Sequence, residues 1–373
     1  MVGNTSDLLI GTLLPFFAVL MVVVFVHEMG HYLVGRWCGI GVEAFSIGFG
    51  PEFLGFTDKR GTRWKFSAVP LGGYVKFVGD VGASSVPDTE SLRELSDSQR
   101  AVAFQLKPLW KKALTVLAGP VANFILAIVI LAAFFMIYGK AIVEPVAGSV
   151  QPNSPAAAAG IQPGDRFISV QGRPITTFAD MQHFVTARAG DPMEFVLDRA
   201  GTQLTVTITP ELMERTDALG NTIRMGLIGV AADTSEARIK RIDMAPLAAV
   251  QEGFAETGRV IDRTLLFLQR FAAGREDRCQ LGGPVKIAEM AGQAADRGFF
   301  WLVSLTAMLS IGIGILNLMP VPPLDGGHLL VYGLEGIMRR PLPDWFQEWL
   351  YKAGFFAVLA LMAFVFWNDL VAC

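Results

Sequence analysis

The chain has 373 residues, of which 52% are hydrophobic and only 17% charged, and its net charge is -3. That balance excludes an ordinary soluble domain and a disordered chain, and it points to several membrane spans. So small a net charge, with no basic block, leaves no footing for nucleic acid.

The first long apolar stretch runs from about Leu8 to Val34, more than the roughly 20 residues that cross a bilayer core. No Lys or Arg precedes it and no small-residue cleavage site follows, so a membrane span is expected rather than a signal peptide. Inside it lies His27-Glu28-Met29-Gly30-His31. On a helix, positions i and i+4 share a face, so both imidazoles can reach one ion. Glu28, beside the first of them, is placed to take a proton from a water. The plain alternative is a pair of core histidines with a chance glutamate. Three ionisable groups in one apolar span are each costly in lipid, which favours a metal site.

The segment that follows is rich in Lys and Arg. Thr62 to Val69 and Tyr74 to Val78 are strand-like runs around Pro70-Leu71-Gly72-Gly73, which predicts a hairpin. Arg63 and Lys65 alternate there with Trp64 and Phe66, as in a half-buried strand. An exposed edge at that place suits capture of an extended peptide. Asp80 to Arg100 is polar throughout and reads as a flexible loop that covers the site. A second span covers about Leu114 to Tyr138.

Residues 142–230 read as a small mixed domain. Phe167 to Val170 is a short strand and Phe178 to Ala187 suits a helix. Phe195-Val196-Leu197 and Leu204 to Ile208 alternate as a hairpin about Ala200-Gly201. His183 falls on the helix without an evident metal partner. From Leu247 to Phe271 apolar residues recur at helical spacing. This amphipathic helix suits a membrane surface or simple packing equally.

The third span, Phe299 to Leu318, runs into Asn317-Leu318-Met319-Pro320-Val321-Pro322-Pro323-Leu324-Asp325-Gly326-Gly327-His328, and a fourth covers Phe355 to Leu370. Asp325 and His328 are both candidate third ligands; an ordinary Pro/Gly-rich exit turn is the bland reading. Lys and Arg crowd the segments between spans one and two and between spans three and four, which sets these in the cytoplasm and both termini outside. Spans one and three then run in the same direction. His27, about 19 residues or near 30 Å into its span, and Asp325 approach the same inner side of the bilayer. The three cysteines, Cys38, Cys279 and Cys373, form no CxxC pair and give no disulfide framework or Cys-rich metal site.

Taken together, these motifs resemble the bacterial site-2 protease family, and within it the regulator of sigma-E protease branch. The resemblance rests on His27 to His31, Asn317 to Gly327, Phe45-Ser46-Ile47-Gly48-Phe49-Gly50-Pro51 and Pro70 to Lys76. Gly119-Pro120-Val121-Ala122-Asn123 and Gly282-Gly283-Pro284-Val285 add to it, in the same order along nearly the whole chain. It implies intramembrane peptide-bond cleavage with Zn2+, with Glu28 as catalytic base and His27, His31 and Asp325 as metal ligands. It also implies that Asn317 helps hold the substrate backbone, and that Gly72, Gly73 and Tyr74 lie on a membrane-associated β-hairpin that pairs with an unwound substrate.

The expected architecture is a polytopic α-helical membrane protein with four transmembrane helices, that β-hairpin and an inserted extracytoplasmic α+β domain similar to a circularly permuted PDZ domain. Its parts are residues 1–141, the PDZ-like 142–230, a helical linker 231–297, and 298–373. The domain lacks a strict GLGF carboxylate loop, and the external segment has room for one such unit where the branch commonly has two. The expected partners are the lipid bilayer and single-pass membrane proteins, such as anti-sigma factors or signal-peptide remnants, already trimmed by another protease. The expected location is the bacterial inner membrane. A non-enzymatic zinc binder or transporter is the rival, but a carrier needs no base at Glu28 and no internal repeat is present. A PDZ scaffold with a mere anchor leaves Glu28 and Asp325 unexplained.

Overall fold

The computed structural model describes residues 7–80, 95–186, 188–216, 222–235, 238–272 and 282–372. Four helical stretches are long and apolar enough to cross a membrane: Ile10–Trp37, Leu109–Tyr138, Phe299–Asn317 and Trp345–Val371. They coincide with the four expected spans. The last starts earlier than hydropathy indicates, because its first turns carry polar residues yet stay helical. Within lipid a backbone must satisfy its own hydrogen bonds, which is why these runs are helices.

In chain order, a π-helical stretch Asp7–Leu13 leads into α1 (Leu14–Trp37). Strands β1 (Val42–Thr57) and β2 (Arg63–Phe77) follow, then the short α2 (Asp97–Val102) and α3 (Leu109–Tyr138). The next run is β3 (Lys140–Val143), β4 (Ala147–Val150), α4 (Pro155–Ala158), β5 (Arg166–Val170), β6 (Arg173–Pro174) and α5 (Phe178–Thr186). After it come β7 (Met193–Arg199), β8 (Thr202–Ile208), β9 (Glu211–Thr216), β10 (Thr222–Leu227), β11 (Val230–Ala232) and β12 (Ile239–Ile242). The chain ends with α6 (Pro246–Ala272), α7 (Pro284–Arg297), α8 (Phe299–Asn317), α9 (Asp325–Met338) and α10 (Asp344–Trp367). Of the loop expected over Asp80 to Arg100, residues 81–94 lie outside the described residues, and Asp97–Val102 is helical behind a Ser96–Gln99 capping box. Cys279 and Cys373 lie outside the described residues, as does Ala187; Cys38 is buried and free.

The chain divides into two compact units. One comprises Met1–Ala132, Val250–Leu266 and Leu281–Cys373. Its helices approach through small residues, as membrane helices do. A Cβ on Gly30 of α1 would strike the Ala118 carbonyl oxygen of α3, and one on Gly314 of α8 would lie 2.9 Å from the Phe124 ring. Ser310 Oγ donates to the Asn123 carbonyl at 2.8 Å and ties α8 to α3. At the far end, Asp369 accepts from the Gly283 N–H at 3.0 Å, so a carboxylate caps the start of α7.

The sheet in this unit is more folded than the expected hairpin. Ala44–Ile47 of β1 is bordered on one side by Gly73–Lys76 and on the other by Arg63–Phe66, and Leu54–Thr57 folds back along Arg63–Phe66. The Pro70–Gly73 segment is thus not a turn between neighbouring strands; it carries β2 from one flank of β1 to the other. Gly48 and Gly50, at φ +90° and +87°, let β1 bend for this, a conformation that side chains resist.

The second unit, Ala133–Ala249 with Phe267–Gln280, holds a four-stranded sheet in the order β6-β5-β7-β8. The expected strands and helix all occur there. Phe195 and Leu197 of β7 alternate inward, an irregularity after Phe167 in β5 turns both Phe167 and Val170 the same way, and all four pack with Met181 and Val185 of α5 into one core. The β9–β10 hairpin and the pairings β4–β11 and β3–β12 complete the unit. Beside α5, the edge formed by Leu227 to Ala232 opens a groove of about 560 Å³.

Candidate metal centre

α1 brings His27 and His31 onto one face, both buried. α9 brings Asp325, the first residue of that helix, where a carboxylate also complements the helix dipole. The approach of Asp325 depends on its two glycines. A Cβ on Gly326 would strike the Leu318 and Met319 carbonyl oxygens, and one on Gly327 would lie 2.5 Å from the Pro322 nitrogen. Bare backbone therefore lets the Pro-rich turn fold back on the helix start.

The three donor atoms form a small triangle. His27 Nε2 lies 3.1 Å from Asp325 Oδ2 and 3.1 Å from His31 Nε2, and His31 Nε2 lies 3.5 Å from Asp325 Oδ2. Ligand bonds of about 2.0–2.2 Å in a tetrahedron give edges of roughly 3.3–3.6 Å, so the triangle is sized for zinc. Its electrostatics agree. His31 Nδ1 is 2.9 Å from the Thr115 carbonyl oxygen, which can only accept, so Nδ1 carries the hydrogen and Nε2 turns a lone pair inward. Asp325 Oδ2 is buried and makes no hydrogen bond. A lone pair and a carboxylate oxygen this close repel, and a cation among them satisfies both. Among the described residues this is the one group of three or more His, Cys, Asp or Glu side chains able to hold a metal ion.

Glu28 sits one residue along α1 and meets β2. A Cβ on Gly73 would lie 3.2 Å from Glu28 Cγ. The other candidate residues are more scattered. A Cβ on Gly72 would press on the Phe49 ring at 2.5 Å. Tyr74 stacks on Phe49 with centroids 6.0 Å apart and lies under the Lys65 ammonium at 5.2 Å. Asn317 ends α8, half-buried, with no hydrogen bond to the centre among the described residues. His328 is not part of the triangle, and its Nδ1 lies 2.7 Å from the Tyr351 hydroxyl of α10. His183 lies on α5 in the other unit.

Peptidase family M50 matches residues 15–361. The chain belongs to that family. M50 enzymes are zinc-dependent metalloproteases, and their zinc fits the donor set just described. The chain is 59% identical over 365 residues to a protein of Mesorhizobium japonicum that bears the provisional name zinc metalloprotease, covering 98% of this chain and 100% of that protein. It is 37% identical over 377 residues to the metalloprotease MmpA of Caulobacter vibrioides, covering 94% and 93% of the two. Among solved structures, the PDZ domain of an SdrC-like protein from Listeria monocytogenes aligns with 23% of this chain and 84% of its own, at 17% identity and a TM-score of 0.19.

Four residues around the candidate centre carried no assigned role in the sequence. Thr115, Gly119 and Asn123 of α3 contact the two histidine rings, and Ser310 of α8 holds Asn123. The signal available was the run Gly119 to Asn123 and the spacing of Thr115, Gly119 and Asn123, which sets them on one helix face.

Proposed function

We propose that this metalloprotease cleaves peptide bonds inside the bilayer, in the transmembrane segments of single-pass proteins trimmed beforehand by another protease. The observation that carries the reading is the triangle that His27 and His31 of a membrane-spanning helix form with Asp325, which begins the helix after the third span, with Glu28 beside it. His27, His31 and Asp325 hold the zinc. When bound, zinc supplies a Lewis acid that polarises the scissile carbonyl and makes a water acidic enough to attack near neutral pH. Glu28 takes the proton of the attacking water and returns it to the departing amine nitrogen. The backbone of β2 at Gly73, pressed against Glu28, is the edge along which an extended substrate lies beside the base, with Gly72 and Tyr74 flanking it. Asn317, at the end of α8, steadies the substrate backbone.

The unit with the β6-β5-β7-β8 sheet is a PDZ-type domain on the extracytoplasmic side of the inner membrane, and it screens substrates. The basis for its side is the distribution of Lys and Arg, sparse before the first span and after the fourth. Its groove along α5 is lined by Gly229 and Val230, with Leu227 and Ile228 before them.

The test uses the full chain in lipid vesicles with a single-span peptide. Zinc content and cleavage are measured for wild type and Glu28→Gln, and the products are mapped by mass. Equal zinc, with cleavage lower by about 10²- to 10⁴-fold in the variant, is expected. Cleavage confined to the water-exposed flanks of the peptide, or undiminished in the variant, refutes the proposal.

A further inference from the structure

The two histidines of the centre are held from behind in different ways. His31 Nδ1 faces a backbone carbonyl, which fixes its hydrogen on that nitrogen. His27 Nδ1 faces a side chain instead: the amide nitrogen of Asn123, 3.2 Å away. An amide nitrogen donates, so in this arrangement His27 Nδ1 accepts and the ring hydrogen sits on Nε2. Nε2 is the atom turned toward Asp325 Oδ2 and His31 Nε2. A ligating nitrogen needs a lone pair there.

The same amide contains the remedy. Asn123 is wholly buried, and its Oδ1 has no hydrogen-bond partner. The amide is closed off from bulk solvent. Ser310 Oγ holds its backbone carbonyl, and rotation of the amide about its last bond is the softest torsion of the side chain. Half a turn exchanges Nδ2 for Oδ1 opposite His27 Nδ1.

We infer that Asn123 is a positioning residue that sets the tautomer of His27. With Nδ2 forward, His27 carries its hydrogen on Nε2 and offers a metal no lone pair there. With Oδ1 forward, Nδ1–H donates to the amide oxygen and Nε2 presents its lone pair to the metal. A backbone carbonyl, as behind His31, allows the second state only. One histidine of the pair is therefore permanently ready, and the other becomes a ligand when the amide turns. The inference rests on His27 being a metal donor.

Two measurements on the purified full chain test it. The first is zinc affinity by chelator competition for wild type, Asn123→Asp and Asn123→Leu. A carboxylate only accepts, so Asp should keep affinity within about threefold, whereas Leu, which offers no acceptor, should lower it about 10- to 100-fold. A residue that merely fills space gives the opposite order, because Leu packs well and a buried carboxylate does not. Leu binding zinc as well as Asp, or better, overturns the inference. The second needs no variant: imidazole nitrogen NMR of the wild type, whose four histidines are few enough to assign. His27 Nδ1 should be unprotonated without zinc and protonated with it, and protonation in both states overturns the switch. A His27 Nε2 signal indifferent to zinc, while His31 responds, overturns the donor assignment beneath it.

Discussion

The His31 ring of α1 rests on Gly119 of α3 at the place where any other residue would put its Cβ, and His27 Cε1 lies 2.9 Å from the same point. Both candidate ligands thus depend on a residue that offers neither charge nor hydrogen bond. Gly119→Ala should cut zinc affinity by at least about tenfold while every donor remains, since a ligand shell displaced by its support loses about 10- to 100-fold. Chelator competition measures this. Wild-type affinity in Gly119→Ala would mean that the helices separate freely here.

Asp325 and His328 are three residues apart and were equal candidates by residue type. Their surroundings separate them. Asp325 Oδ2 completes the triangle, and His328 is engaged with Tyr351. Asp325→Ala should lose bound zinc and activity together. His328→Ala should keep its zinc, with a stability loss of about 1–3 kcal/mol from the unpaired hydroxyl. Metal analysis of the two purified variants decides it, and the reverse pattern would assign the third ligand to His328.

Glu144 lies nearly buried among Lys240, Arg238 and Arg166, at 2.6, 3.1 and 2.6 Å. Hydrogen bonds from Lys240 and then Arg238 hold its carboxyl at about 2, below the ordinary 4.5. The folded form therefore binds this proton less readily than the unfolded form. The network's contribution to stability is complete above about pH 4.5 and fades as pH falls toward 2. Hydrogen exchange of β3 and β12 should be faster in Glu144→Gln than in wild type at pH 7, with the gap closing below about pH 4. A gap independent of pH would show that packing, not charge, matters there.

The distribution of Lys and Arg sets the orientation to be checked by reporter fusions. Fusions after Gly139 and after Cys373 should report the outer side, and fusions near Lys59 and Arg339 the cytoplasm. A cytoplasmic signal from within residues 142–230 would invert the arrangement.

The sequence made some features plain and hid others for physical reasons. The spans were legible because lipid demands long apolar helices, and His27-Glu28-Met29-Gly30-His31 was legible because helical spacing alone aligns its imidazoles. The meeting of His27 with Asp325 needed only the shared direction of two spans. The contacts of Thr115, Gly119 and Asn123 were not legible, because they depend on how α3 is rotated against α1, which periodicity does not fix. The double flanking of Ala44–Ile47 was hidden for a related reason: Pro70-Leu71-Gly72-Gly73 has the composition of a tight turn, and only register shows that it crosses over. His328 was ambiguous until Tyr351, brought by a different helix, supplied its partner.

The proposed donors are separated along the chain by 294 residues, from His31 to Asp325. During synthesis the first two are in the membrane long before the third exists. At about 5–20 residues per second, the ribosome needs roughly 15–60 s to travel between them. Throughout that interval the nascent protein holds Glu28 beside two of the three proposed donors. On the proposed ligand set, the donors are complete only once the segment that follows the third span is in place, and a chain stalled before Asp325 lacks one of the three.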